Sequence, residues 1–135
     1  MKVDVTSYLE EQFQVTGRDL TLFKSEFSNW KSDPSGEYAY HFGKDALNID
    51  SRVLRHVHMI PLNSPEALLK WDEAYEDYKP QTSDRYLFYS DRGRSHYLLV
   101  AIVDDPGGHA IWKQRNLVKQ WEEIADDFYN LGKVA

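Results

Sequence analysis

Histidine is the side chain best placed to move protons near neutral pH, and this chain has five. Two of them, His56 and His58, sit in the apolar run VLRHVHMIPL at 53–62. Residues two apart on a strand share a face, so this spacing sets two imidazoles side by side. His109 follows the turn PGG, Lys113 and Arg115 come just after it, and Tyr89 lies in another strand-like run. Cleavage of RNA by its own 2′-hydroxyl needs a proton acceptor, a proton donor and cationic groups around the phosphorane. These six residues are of the right types. A His-x-His pair is equally a familiar metal-ligand pair, for which His41, Asp45, His96 or His109 could supply a third ligand. Spacing alone does not choose between these chemistries, nor between them and a core-edge histidine bonded to backbone.

Other chemistries are excluded more firmly. The chain has no cysteine, hence no disulfide, thiolate metal site or cysteine nucleophile. It contains no HExxH, G-x-S-x-G, P-loop or dinucleotide fingerprint, and no cofactor is called for. No apolar run approaches the roughly 20 residues that span a bilayer, and MKVDVTSYLEEQF does not read as a secretory signal. The expectation is a cytoplasmic protein with no membrane partner. At 135 residues, with 41% hydrophobic and 14% aromatic content, a single globular domain over 1–135 is expected. The net charge of −6 argues against loose binding to bare nucleic acid. That charge is uneven. Residues 85–119 carry six basic side chains against three acidic ones, between acidic segments at 56–84 and 120–135.

Patterning then places these residues on elements. Leu9, Phe13 and Val15 fall on alternate positions and read as a strand ending near Val15, although Ser7 and Glu10 would also suit a helix start. Leu20, Phe23, Phe27 and Trp30 make a helical stripe that Thr16 could cap, ended by SDPSG at 32–36. HFGKDALNIDS at 41–51 reads as a loop before the histidine strand at 53–60. Ser64 and Pro65 start a helix with the stripe Leu68, Trp71, Tyr75 and Tyr78, which reads as the face the helix packs. Strands at 85–90 and 96–103 form a hairpin through DRGR, the second of them central. DDPGG breaks the chain, HAIWK reads as a short strand, and Leu117, Trp121, Ile124, Phe128 and Leu131 define a last helix closed by Gly132. The class is α+β, with helices around a small antiparallel sheet.

Several of these segments, FGKDAL at 42–47, HVH at 56–58, TSDRYLFY at 82–89, YLLVAIV at 97–103 and PGGHA through IADDF at 106–128, resemble the YafO family of bacterial type II toxins. That family belongs to the RelE-like group of proteins, which cut mRNA on the translating ribosome. The resemblance implies a RelE-like sheet with packed helices and a concave face toward RNA, and a cognate antitoxin that blocks it. Its partners would be the ribosome and mRNA. It points to His56, His58 and His109 as catalytic residues and to Lys44 and Lys113 as phosphate contacts, to which Arg115 is added as a neighbouring basic residue that need only be exposed and nearby. Asp45, Asp84 and Tyr89 would be supporting residues. The activity implied is metal-independent acid–base cleavage of mRNA. The alternatives are a toxin-like inhibitor that binds the ribosome or a protein without cutting, and a hydrolase with a metal on His56 and His58.

Overall fold

The computed structural model describes residues 1–33, 40–48 and 51–135. In chain order the elements are β1 (Lys2–Val5), α1 (Ser7–Thr16), α2 (Leu20–Ser32), β2 (Phe42–Leu47) and β3 (Arg55–Met59). There follow α3 (Pro65–Glu76), β4 (Tyr86–Arg92), β5 (His96–Val103), α4 (Gly108–Ile111) and α5 (Arg115–Leu131). The strands form one open sheet in the order β1-β5-β4-β3-β2. Only β1 runs parallel to its neighbour, β5; the other pairings are antiparallel. This is the α+β architecture expected, with β5 in the interior of the sheet. Among the described residues no helix is long and apolar enough to cross a membrane.

The sheet separates two cores. On one face Leu9 and Phe13 of α1 and Phe27 of α2 pack on Val57, Met59, Leu87, Tyr89 and Leu99. On the other, Val118, Trp121, Ala125 and Phe128 of α5 cover Tyr86, Phe88, Leu98 and Val100. Alternation along each strand produces this division. In β3 it sends Val57 and Met59 into the first core and leaves His56 and His58 on the α5 side. There they stand opposite Phe88 and Tyr86 of β4.

Four local expectations need correction. Residues 7–16 are helix, not a strand ending near Val15. Leu9 and Phe13 are one helical turn apart and both buried, whereas Val15 is 81% exposed. The cap is Thr6, whose hydroxyl accepts from the Leu9 N–H at 3.1 Å and donates to the Val100 carbonyl at 2.6 Å. Second, α2 starts at Asp19, not Thr16, because Gly17 at φ 67° closes α1 first. Third, FGKDAL is the edge strand β2 and not a loop; β3 supplies the hydrogen-bonding partner that its weak strand formers do not advertise. Gly43 is needed there because a Cβ would run into Gln81 and the Trp71 ring. Fourth, HAIWK begins in the one-turn helix α4, not a strand.

The remaining elements follow the sequence pattern. Ser64 caps α3 and Gly132 closes α5 in the left-handed conformation. The α3 stripe is shorter than expected: Trp71 is fully buried, but Tyr78 lies past the helix end and is 98% exposed. The expected SDPSG stop falls partly on 34–36, outside the described residues.

Candidate functional site

The histidine pair survives as a geometric unit. The His56 and His58 ring centroids are 5.9 Å apart, and both rings lie half-buried on the α5 side of β3. His56 is walled by aromatic rings, with Tyr86 at 5.3 Å, Phe88 at 6.0 Å and Trp112 at 5.2 Å. Its Nδ1 lies 2.8 Å from Asn48 Oδ1. With the Asn48 amide oxygen turned toward it, the matching tautomer carries the hydrogen on Nδ1 and the lone pair on Nε2. Burial, reinforced by His58, pushes the His56 pKa down to about 4. The ring is therefore neutral at pH 7.

His58 packs edge-on against Tyr86 at 4.7 Å, and burial lowers its pKa also. Its Nδ1 meets the backbone of Ser83, 2.8 Å from the carbonyl and 3.0 Å from the N–H. One tautomer donates to the first and the other accepts from the second. Ser83 is held in turn by its hydroxyl, which donates to the Met59 carbonyl at 2.6 Å.

His109 reaches the same side from α4. Asp84 Oδ1 accepts from the His109 backbone N–H at 2.7 Å and from the ring Nδ1 at 2.8 Å, while Oδ2 accepts from Gly107 N–H at 2.9 Å. Burial raises the Asp84 carboxyl, but these three bonds outweigh it and hold its pKa below the ordinary value. Gly108 makes the approach possible, since a Cβ there would strike the Asp84 backbone and the Tyr86 ring. The His109 side chain is 86% exposed. It is close enough for a charge on it to bear on His58, as is Lys44 for both His56 and His58.

A cleft of about 700 Å³ opens beside His56, lined by Leu47, Asn48, Trp112, Arg115, Val118, Lys119 and Glu122. Of the expected phosphate contacts, Arg115 lines this cleft and Lys113 does not; Lys113 opens onto a separate shallow depression with Gln114 and Asn116. The basic segment at 85–119 does not present all of its charges at the cleft. Arg85 is buried and paired with Asp104 at 3.0 Å, Lys113, Arg115 and Lys119 are exposed toward the α4–α5 side, and Arg92 and Arg94 are exposed at the far hairpin.

Asp45 and Tyr89 lie elsewhere. They occupy the opposite face of the sheet, where the Tyr89 hydroxyl donates to Asp45 Oδ2 at 2.6 Å. Lys31 Nζ joins them, 2.7 Å from Tyr89 Oη and 3.3 Å from Asp45. Arg55 Nε pairs with Asp45 Oδ1 at 3.4 Å. Tyr89 is 0% exposed, and burial with Asp45 beside it drives its pKa up. Of the third-ligand candidates, Asp45 is on this opposite face and His96 lies away from the pair. His96 Nε2 bonds Asp4 at 2.6 Å near Phe128, far along β5 from the histidine pair. Among the described residues no group of three or more histidines and carboxylates is arranged to hold a metal ion.

Two members of the site escape sequence reading. Asn48 ends the FGKDAL strand and Trp112 ends α4, and neither belongs to a spacing pattern. An exposed tryptophan three residues after His109 is the only local signal.

The chain matches the family described as toxin YafO of type II toxin–antitoxin systems over residues 28–130, and it belongs to that family. Membership carries with it a cognate antitoxin as partner. No curated protein and no solved structure matches the chain.

Proposed function

We propose that this toxin is a ribosome-dependent endoribonuclease, a single cytoplasmic domain that cuts mRNA by acid–base chemistry and is silenced by its antitoxin. The observation that carries this reading is the gathering of His56, His58 and His109 on one side of the sheet, beside a cleft rimmed by Arg115 and Lys119. Neutral His56, with its Nε2 lone pair available, takes the proton from a 2′-hydroxyl. The freed oxygen attacks the adjacent phosphorus to give a 2′,3′-cyclic phosphate, and the bond to the 5′-oxygen breaks. His109 returns a proton to that 5′-oxygen; Asp84 orients the ring and faces the charge it carries as a donor. Lys44 and Arg115 stabilise the charge of the phosphorane, and Lys113 positions a more distant phosphate. His58 supports His56 and keeps it neutral. From behind the sheet, Asp45 and Tyr89 brace the strands that carry the pair.

The test is primer extension on a reporter mRNA with the purified protein, with and without translating ribosomes, beside His56→Ala, His58→Ala and His109→Ala. New 5′ ends that require ribosomes and vanish in folded His56→Ala or His109→Ala support the reading. Translation arrest without new ends overturns it and leaves a non-cleaving inhibitor.

A further inference from the structure

The cleft beside His56 contains a group that neither proton transfer nor phosphate binding uses. Asn48 is 5% exposed, and its Nδ2 is buried with no hydrogen-bond partner among the described residues. Such an orphan donor is costly and uncommon in a native protein. In the orientation the structure gives this amide, Oδ1 lies 2.8 Å from His56 Nδ1 and Nδ2 is the atom left without a partner. Asn48 lines the cleft together with Trp112, an exposed ring 5.2 Å from His56, and with Leu47, also exposed. Arg115 and Lys119 stand on the same wall.

We propose that this cleft is a nucleobase subsite that selects the base next to the cut. The inference rests on the nuclease reading for its biological use, but the binding it describes is independent of cleavage. Trp112 supplies a flat aromatic face for stacking, which accepts any base. Asn48 Nδ2 supplies the discrimination. It offers only a donor, so it rewards a base edge carrying a keto oxygen, as guanine O6 and uracil O4 do. Adenine has no keto oxygen and presents an amino group to a site where the amide oxygen is already taken. Arg115 and Lys119 then hold the flanking phosphates. Leu47 and Trp112, the exposed side chains of the wall, shift to let the base reach Nδ2. Because the same amide grips His56 Nδ1, a correct base also steadies the general base, tying recognition to catalysis.

Two measurements test this separately from the cleavage chemistry. The first is NMR titration of the 15N-labelled protein with 5′-GMP, 5′-UMP, 5′-AMP and inorganic phosphate. The Asn48 side-chain amide and Trp112 indole signals are expected to move with GMP and UMP, about tenfold more weakly with AMP, and not with phosphate alone. Equal shifts with phosphate, or no shift of these two signals with any nucleotide, overturn the subsite even if the protein cuts RNA. The second is the base composition at cut sites on translating ribosomes for wild type, Trp112→Leu and Asn48→Ser. A preference for G or U beside the cut that flattens in Asn48→Ser supports the proposal; an unchanged profile in both variants contradicts it. If wild type makes no cuts at all, the nuclease reading falls, and the NMR result alone decides the subsite.

Discussion

The two faces of strand β3 use neighbouring residues in opposite ways. Arg55 points to the α1–α2 side, into a cluster in which Lys31, Asp45, Arg55 and Tyr89 satisfy one another within 2.6–3.4 Å. His56, the next residue, points to the α5 side, where one ring nitrogen is bonded and the other is left for chemistry. Lys31 adds cation–π contacts with Trp30 at 4.0 Å and Tyr89 at 4.8 Å, although burial still lowers its pKa. A half-buried cluster of charges persists only when its partners are complete. A site can leave groups half-satisfied when the rest of the fold supplies the stability. The closed cluster is a brace, and the incomplete one is where the proposed chemistry is placed.

The contrast is sharpened first where the effect is largest. Replacing His56 with Gln should lower ribosome-dependent cleavage about 10²–10⁴-fold, the range for a lost general base, with the midpoint of urea unfolding at pH 7 little changed. Asp45→Ala should act in the reverse sense. It leaves Lys31 and Arg55 facing each other across a Tyr89 hydroxyl that has lost its acceptor, and should cost about 2–3 kcal/mol in urea unfolding. A stable Asp45→Ala protein that cannot cut would move the brace into the active site.

A smaller effect concerns pH. The His56 pKa is about 4 in the folded protein and near the ordinary 6.5 when unfolded. Between those values the unfolded chain binds a proton that the folded chain refuses, so stability is full above 6.5 and falls as pH drops toward 4. The contribution is on the order of 1–3 kcal/mol. Carboxylates titrate in the same window, so the readout is the difference in urea stability between wild type and His56→Gln at pH 7 and pH 4.5. That difference should shrink the acid loss in the variant; equal losses would mean that His56 is not held neutral. Smallest is Tyr40→Phe. Tyr40 donates to Asp72 at 2.6 Å, a bond that raises its pKa to about 12. Its loss should cost about 1 kcal/mol without altering cleavage.

What the sequence made legible was whatever its own neighbours determine. The stripe of α5, the Ser64–Pro65 start of α3, the β4–β5 hairpin and the same-face histidines all follow from local periodicity or turn chemistry. What it concealed depends on distant partners. Residues 7–16 are helical because Thr6 is anchored to Val100 and because Leu9 and Phe13 find α2 and the sheet. The one-turn α4 is held by a carboxylate more than twenty residues earlier, through Gly107 and His109. Asp45 and Tyr89 share matching motifs with the histidines, yet the alternation of the sheet sends them to the other face. Asn48 acquires meaning only when His56 folds against it.

The most direct test of the account compares the two faces in one assay. Cleavage of a reporter mRNA by wild type, His56→Gln and Tyr89→Phe would be followed by primer extension on translating ribosomes, at a temperature where all three are folded. Tyr89→Phe removes a hydroxyl from the brace and His56→Gln removes the proton acceptor. The account predicts cutting by Tyr89→Phe within about twofold of wild type, because its loss of about 1–2 kcal/mol falls on stability, and near-complete loss in His56→Gln. The reverse pattern, with His56→Gln active and Tyr89→Phe silent, would place the chemistry on the opposite side of the sheet.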